Sequence, residues 1–121
     1  MECETNNTMS KQEIFTFPLR VYYEDTDAGG IVYHATYLNF MERARTEWLL
    51  NKGINLQQYA NDEKKMFVVR TITINYHQPA FLCDELLLTT EIHKQSKTRV
   101  VFWQKLFRHN DLLADALVEL V

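Results

Sequence analysis

Two side chains of this 121-residue chain stand out for chemistry, Asp27 and His34. They share one run, Tyr23-Glu24-Asp25-Thr26-Asp27-Ala28-Gly29-Gly30-Ile31-Val32-Tyr33-His34. Gly29 and Gly30 tolerate φ > 0 and carry no Cβ, so backbone N–H groups there can approach a ligand closely. Helical spacing begins after His34, and the first N–H groups of a helix have no intrahelical partner and lie at its partly positive end. A carboxylate and an imidazole beside such donors suit acyl-group chemistry. Asp25 and Asp27, at i and i+2, would share a face in a regular extended segment. Asp27 adjoins the glycine turn, where the chain bends easily, so it is expected to point into the cleft while Asp25 braces the loop. The plainer reading of Asp27 is a capping acid at the helix start. For the His34 side chain it is a solvent-facing or core histidine. Glu24, Asp25, Asp27 and His34 offer hard metal ligands, but no HxxxH or HxH spacing accompanies them, and no metal is expected.

The elements that must hold this run follow from hydrophobic period. Phe15, Phe17, Leu19, Val21 and Tyr23 alternate within Ile14 to Glu24, which predicts a first strand, with Pro18 at its beginning or on a sheet edge. From Ala35 to Leu50 the period becomes helical: Tyr37, Phe40, Met41, Ala44 and Trp48 form a stripe that Leu38, Arg45 and Leu49 widen. Glu42–Arg45 and Arg43–Glu47 are spaced for surface ion pairs, and Gly53 is a natural stop. A short second helix is expected around Leu56 to Tyr59. Met66 to His77 alternates up to Pro79. Glu85 to His93 and Thr98 to Arg108 are apolar on both parities, as central strands are, and Leu112 to Val121 is the last strand. Turns are expected at Lys94 to Lys97 and at His109-Asn110-Asp111. One apolar helix followed by an antiparallel meander predicts an α+β domain over 14–121, its sheet wrapped around the helix, behind a flexible leader over 1–13. Strands apolar on both faces imply that the outer side is covered too, most simply by a second copy of the chain. The strand pattern runs to Val121 without the polar tail common in similar proteins, so the end is read as truncated or left out.

Composition narrows the class. With 46% hydrophobic and 24% charged residues the chain is an ordinary globular domain, and a net charge of −3 argues against a general nucleic-acid binder. No apolar run approaches the ~20 residues that span a bilayer, and the N-terminus lacks the layout of a secretory signal. Cys3 and Cys83 make no disulfide framework; Cys83 is expected to be a small buried hydrophobe, and a cytoplasmic location is the default. No Ser or Cys occupies a nucleophile elbow, which disfavours a triad hydrolase. His77, His93 and His109 fall at strand ends or turns and are expected on the surface.

The motif Tyr23-x-Asp25-x-Asp27-Ala28-Gly29-Gly30-Ile31-Val32-Tyr33-His34-Ala35-x-Tyr37-Leu38, continuing Phe40-Met41-Glu42-Arg43-Ala44-Arg45-Thr46-Glu47-Trp48-Leu49, resembles the hydroxybenzoyl-CoA thioesterase family. Within it the likeness is closest to the Tol–Pal-associated (YbgC-like) acyl-CoA thioesterases. The resemblance implies a hotdog fold with a five-stranded sheet and an acyl-CoA thioesterase that needs no cofactor. It implies that Asp27 attacks the thioester or activates water, and that the backbone N–H at His34 polarises the carbonyl. Gly30 and Tyr33 would contact substrate. Lys94, Lys97, Arg99, Lys105 and Arg108 make a locally basic hairpin, whose Lys97 and Arg99 could meet the phosphates of coenzyme A or remain a solvated turn. Tyr37, Phe40 and Met41 would wall an acyl tunnel and favour short or modest chains. The donor would be acyl-CoA or an acyl carrier protein, and the site would lie at a subunit interface of a dimer or a dimer of dimers, a homotetramer. Two rivals are a hotdog hydratase or dehydratase and a non-catalytic acyl-thioester binding module; release of free thiol from acyl-CoA separates the first, turnover at all the second.

Overall fold

The 16-residue helix α1, Thr36–Asn51, organises the packing. Its stripe of Tyr37, Phe40, Met41, Ala44, Trp48 and Leu49 is buried, as the helical spacing predicts. The helix stops where expected: Gly53 adopts φ 85°, its N–H bonds the Leu50 carbonyl at 2.9 Å, and the Ile54 N–H bonds that of Leu49 at 2.8 Å. This reciprocal pair satisfies carbonyls that a helix end would otherwise leave open.

The computed structural model describes residues 13–121, so the expected leader (Glu13 apart) and Cys3 lie outside the described residues. Five strands make one antiparallel sheet: β1 Phe15–Arg20, β2 Val69–Tyr76, β3 Glu85–Gln95, β4 Val100–Arg108 and β5 Asp111–Leu120, ordered β1-β3-β4-β5-β2. Leu86, Leu88, Ile92, Phe102, Leu106, Ala116 and Val118 turn one face of the sheet onto α1. Trp48 meets Phe102 edge-on at 5.5 Å and stacks on Phe15 at 6.5 Å. Pro18 lies in the edge strand β1, where a missing N–H costs no central ladder bond.

Several details depart from the sequence reading. The first strand ends at Arg20 rather than Glu24, because a 3₁₀ turn at Tyr23–Asp25 intervenes. The short helix α2 spans Leu56–Glu63, four residues beyond Tyr59, capped by the Asn55 side chain accepting from the Gln58 N–H at 3.0 Å. β2 alternates in sequence yet only Ile74 is partly buried, since β2 is the other sheet edge and little packs over it. Cys83 is exposed, not buried: it adopts φ 73° in a turn that the Asp84 carboxylate closes by accepting from the Phe81 N–H at 2.8 Å. The two helix ion pairs do not form among the described residues. Glu42 accepts instead from the Thr46 hydroxyl at 2.6 Å, and Arg45 turns into the core.

That buried arginine belongs to a polar network. Arg45 donates to Gln104 Oε1 at 3.0 Å, and Gln104 Nε2 donates to the Met41 carbonyl at 3.0 Å and to Thr90 Oγ1 at 2.9 Å. Burial lowers the guanidinium pKa from its ordinary value, against the pull of Glu42. The network clamps two turns of α1 to the middle of the sheet, and so fixes how far the helix start projects.

Candidate active site

The loop that carries Asp27 is tied at both ends by backbone bonds. Asp25 is buried; its carboxylate accepts the Tyr22 N–H at 2.8 Å and its carbonyl accepts the Tyr33 N–H at 3.0 Å, the bracing role expected of it. Asp27 and Ile31 close a tight turn, Asp27 N–H to Ile31 O at 2.8 Å and Gly30 N–H to Asp27 O at 3.0 Å. Gly30 makes the turn possible at φ 83°, a conformation that side chains resist. Val32 then bonds the Ala80 carbonyl at 2.9 Å, anchoring the loop to the segment after β2.

Asp27 itself is exposed, and its Oδ1 accepts the Gly29 N–H at 2.8 Å. It does not cap the helix: the cap position of α1 is Ala35, which has no side-chain partner. The Thr36 N–H goes to the Tyr33 carbonyl at 2.8 Å and the Leu38 N–H to that of Ala35 at 3.1 Å. The N–H groups of His34 and Ala35 find no acceptor among the described residues. A helix start with open donors and a carboxylate with only one oxygen engaged therefore lie close together in the chain.

They border a single cavity of about 420 Å³ whose walls include Asp27, His34, Val32, Tyr37, Tyr76 and Pro79. His34 is exposed there, its ring tilted on that of Tyr33 at 4.6 Å. Gly30 and Tyr33 belong to the same loop but not to the cavity wall. Phe40 and Met41, expected as tunnel walls, pack into the core instead. Lys97 and Arg99 stand elsewhere: they line a second cavity of about 360 Å³ with Leu49, Tyr59 and Phe67. Tyr37 of the first cavity and Leu49 of the second are about 18 Å apart along α1 at 1.5 Å per residue. Arg99 also pairs with Glu119 at 2.8 Å.

Tyr76, Gln78 and Pro79 were not singled out by the sequence as site residues. Tyr76 lies edge-on to Tyr37 at 5.2 Å and donates its hydroxyl to the His34 carbonyl at 2.7 Å. The Tyr37 hydroxyl accepts the Ala80 N–H at 3.2 Å. Burial raises the pKa of both phenols, so both stay protonated at neutral pH. His77, exposed as expected, also borders the cavity and meets Asp115 at 2.6 Å. Burial pushes the Asp115 carboxyl up, but hydrogen bonds from His77 and Asn75, together with the nearby charges of His77 and Lys105, outweigh it and lower its pKa from the ordinary value. Asp25 has its carboxylate committed to the loop. Among the described residues no three His, Cys, Asp or Glu side chains converge as metal ligands.

Residues 29–114 match the family model described as the thioesterase superfamily. The chain belongs to that superfamily. An acyl-CoA thioesterase YbgC of Haemophilus influenzae is 46% identical over 105 residues, 87% of this chain and 77% of the relative. An acyl-CoA thioester hydrolase YbgC of Escherichia coli O6:H1 is 49% identical over 109 residues, 89% of this chain and 81% of the relative. A crystal structure of a probable thioesterase from Bartonella henselae superposes with a TM-score of 0.86 at 37% identity, covering 90% of each chain. The α+β hotdog architecture expected of this thioesterase is the one it has.

Proposed function

We propose that this thioesterase hydrolyses acyl-CoA to the free acid and CoA, with Asp27 acting on the thioester and the N–H groups of His34 and Ala35 receiving the charge on its carbonyl oxygen. One observation carries the reading: Asp27, with one carboxylate oxygen uncommitted among the described residues, and His34, whose backbone N–H is open, border the same cavity, and the open N–H of Ala35 follows directly in the chain. Two routes share this geometry. In one, a carboxylate oxygen bonds to the carbonyl carbon, the C–S bond breaks, CoA leaves as thiolate and takes a proton, and water opens the mixed anhydride. In the other, Asp27 takes a proton from water as its oxygen attacks, and the thiolate leaves with that proton. Both release one acid and one thiol and restore Asp27.

The bulky rings of Tyr37 and Tyr76 in the cavity wall, edge-on to each other, support a short or modest acyl group. Because the oxyanion donors are main-chain, His34→Ala is expected to keep measurable turnover, with a loss smaller than the roughly 10²-fold that follows removal of one such donor. Steady-state kinetics on the variant check this; a loss as large as that of an Asp27 variant would make the imidazole itself indispensable. The overall test is thiol release from a panel of acyl-CoA and acyl-carrier-protein substrates by purified enzyme. Enoyl-CoA hydration without thiol release would instead favour a hydratase.

We further propose that residues 14–121 work as a single unit in a homo-oligomer, a dimer or a dimer of dimers. The support is the bare edge strand β2, where Val69, Ile72 and Tyr76 are exposed and Tyr76 also borders the cavity. Two such edges paired about a twofold would run in opposite directions, bringing the partner's basic hairpin end towards the Asp27 end. Lys97 and Arg99 would then serve the neighbouring subunit's CoA phosphates, a role their own cavity cannot give them; Gly30 and Tyr33 would shape the loop against substrate. Light scattering is expected to give a dimer or larger, and a fully active monomer would overturn the arrangement. We place the reaction in the cytoplasm, since the two cysteines frame no disulfide pattern. No described helix is long and apolar enough to cross a membrane.

A further inference from the structure

The geometry points to Tyr76 as a positioning residue for hydrolysis: its hydroxyl holds the His34 carbonyl and so fixes the line of the Ala35 N–H at the start of α1. This rests on the functional reading above. The His34 carbonyl precedes the helix and takes no part in its ladder. The Leu38 N–H, which a longer helix would send to that carbonyl, goes to Ala35, and the Thr36 N–H goes to Tyr33. The 2.7 Å bond from Tyr76 is the partner this carbonyl has among the described residues.

A peptide unit is planar and trans, so the His34 carbonyl and the Ala35 N–H are rigidly coupled and point in opposite directions. Gripping the oxygen therefore fixes the line of the N–H. The grip comes from a strand rather than a loop: Tyr76 pairs with Ala114 in the β2–β5 ladder. Its ring leans edge-on against Tyr37, itself anchored to Ala80, so the hydroxyl is placed by the sheet and by α1 together. Burial raises the pKa of this phenol, which keeps the proton it must donate throughout the range in which a carboxylate-driven hydrolysis runs. Donors aimed in advance stabilise a developing oxyanion without reorganising at the moment of reaction. Loss of the grip should therefore be felt in the transition state more than in substrate binding.

Tyr76→Phe removes one oxygen and keeps the ring against Tyr37 on a half-exposed edge, so the variant is expected to fold with an unchanged circular dichroism spectrum. The expected result is a fall in kcat of about tenfold, the scale of one hydrogen bond, with KM within about twofold of wild type. Unchanged kcat in the folded variant, or a rise in KM alone, overturns the proposal. Asp27→Asn assayed alongside separates the two levels. If it is inactive while Tyr76→Phe turns over normally, only the positioning role falls. If Asp27→Asn turns over like wild type, the functional reading itself is wrong, and the role of Tyr76 falls with it.

Discussion

Asp27→Asn is expected to lower kcat by about 10²- to 10⁴-fold, the range over which a positioned acid–base group contributes. The substitution is clean because of the local geometry. Asp27 Oδ1 accepts the Gly29 N–H, and an asparagine oxygen can accept the same bond, so the turn survives. The side chain is exposed and caps no helix, so stability should change by no more than about 0.5 kcal/mol, the usual span for surface substitutions. What is lost is the negative charge, and with it both the nucleophile and the base. Thiol release from acyl-CoA, measured beside a thermal melt, tests the expectation. A variant with wild-type kcat would remove Asp27 from the chemistry.

The largest effect on stability is expected at Gln104→Leu, about 3–5 kcal/mol, the cost of leaving a buried charge without its partner. Gln104 is fully buried and serves three groups at once: the Arg45 guanidinium, the Thr90 hydroxyl and the Met41 carbonyl. Leucine fills the volume and answers none of them, and each orphaned buried polar group adds its own desolvation penalty. Against a domain stability of about 5–15 kcal/mol this loss is severe. Urea unfolding measures it. Adding Arg45→Met should recover part of the loss, because the stranded charge goes with the arginine. A loss under about 1 kcal/mol would mean that water replaces the glutamine, and that the network does not hold α1 in place.

This network also marks what the sequence could and could not convey. α1 was legible because its stripe repeats at helical spacing and Gly53 ends it, and the strands because β1, β2 and β5 alternate while β3 and β4 are apolar on both parities between turn signals. Arg45 read two ways, widening the apolar stripe and pairing with Glu42 on the surface, because its buried partner lies 59 positions away and nothing local distinguishes a cation facing water from one facing Gln104. Cys83 read as core by residue type, whereas a left-handed turn set by Asp84 exposes it.

The site divides in the same way. Asp27, the glycine turn and the helix start are contiguous in sequence, so their meeting was readable. Tyr76 and Pro79 join them only because the strand order carries β2 to a sheet edge beside the start of α1, and strand order is not written in any local pattern. Lys97 and Arg99 illustrate the converse: basic residues of the right type, carried by the β3–β4 hairpin to the other end of the helix.

The most direct test of the account is a crystal structure of the enzyme with a non-hydrolysable thioester analogue of an acyl-CoA. The analogue's carbonyl oxygen is expected about 3 Å from the backbone N–H of His34 or Ala35, with the carbonyl carbon facing the Asp27 carboxylate. A carbonyl seated in the cavity beside Leu49 and Phe67, or turned away from Asp27, would contradict it.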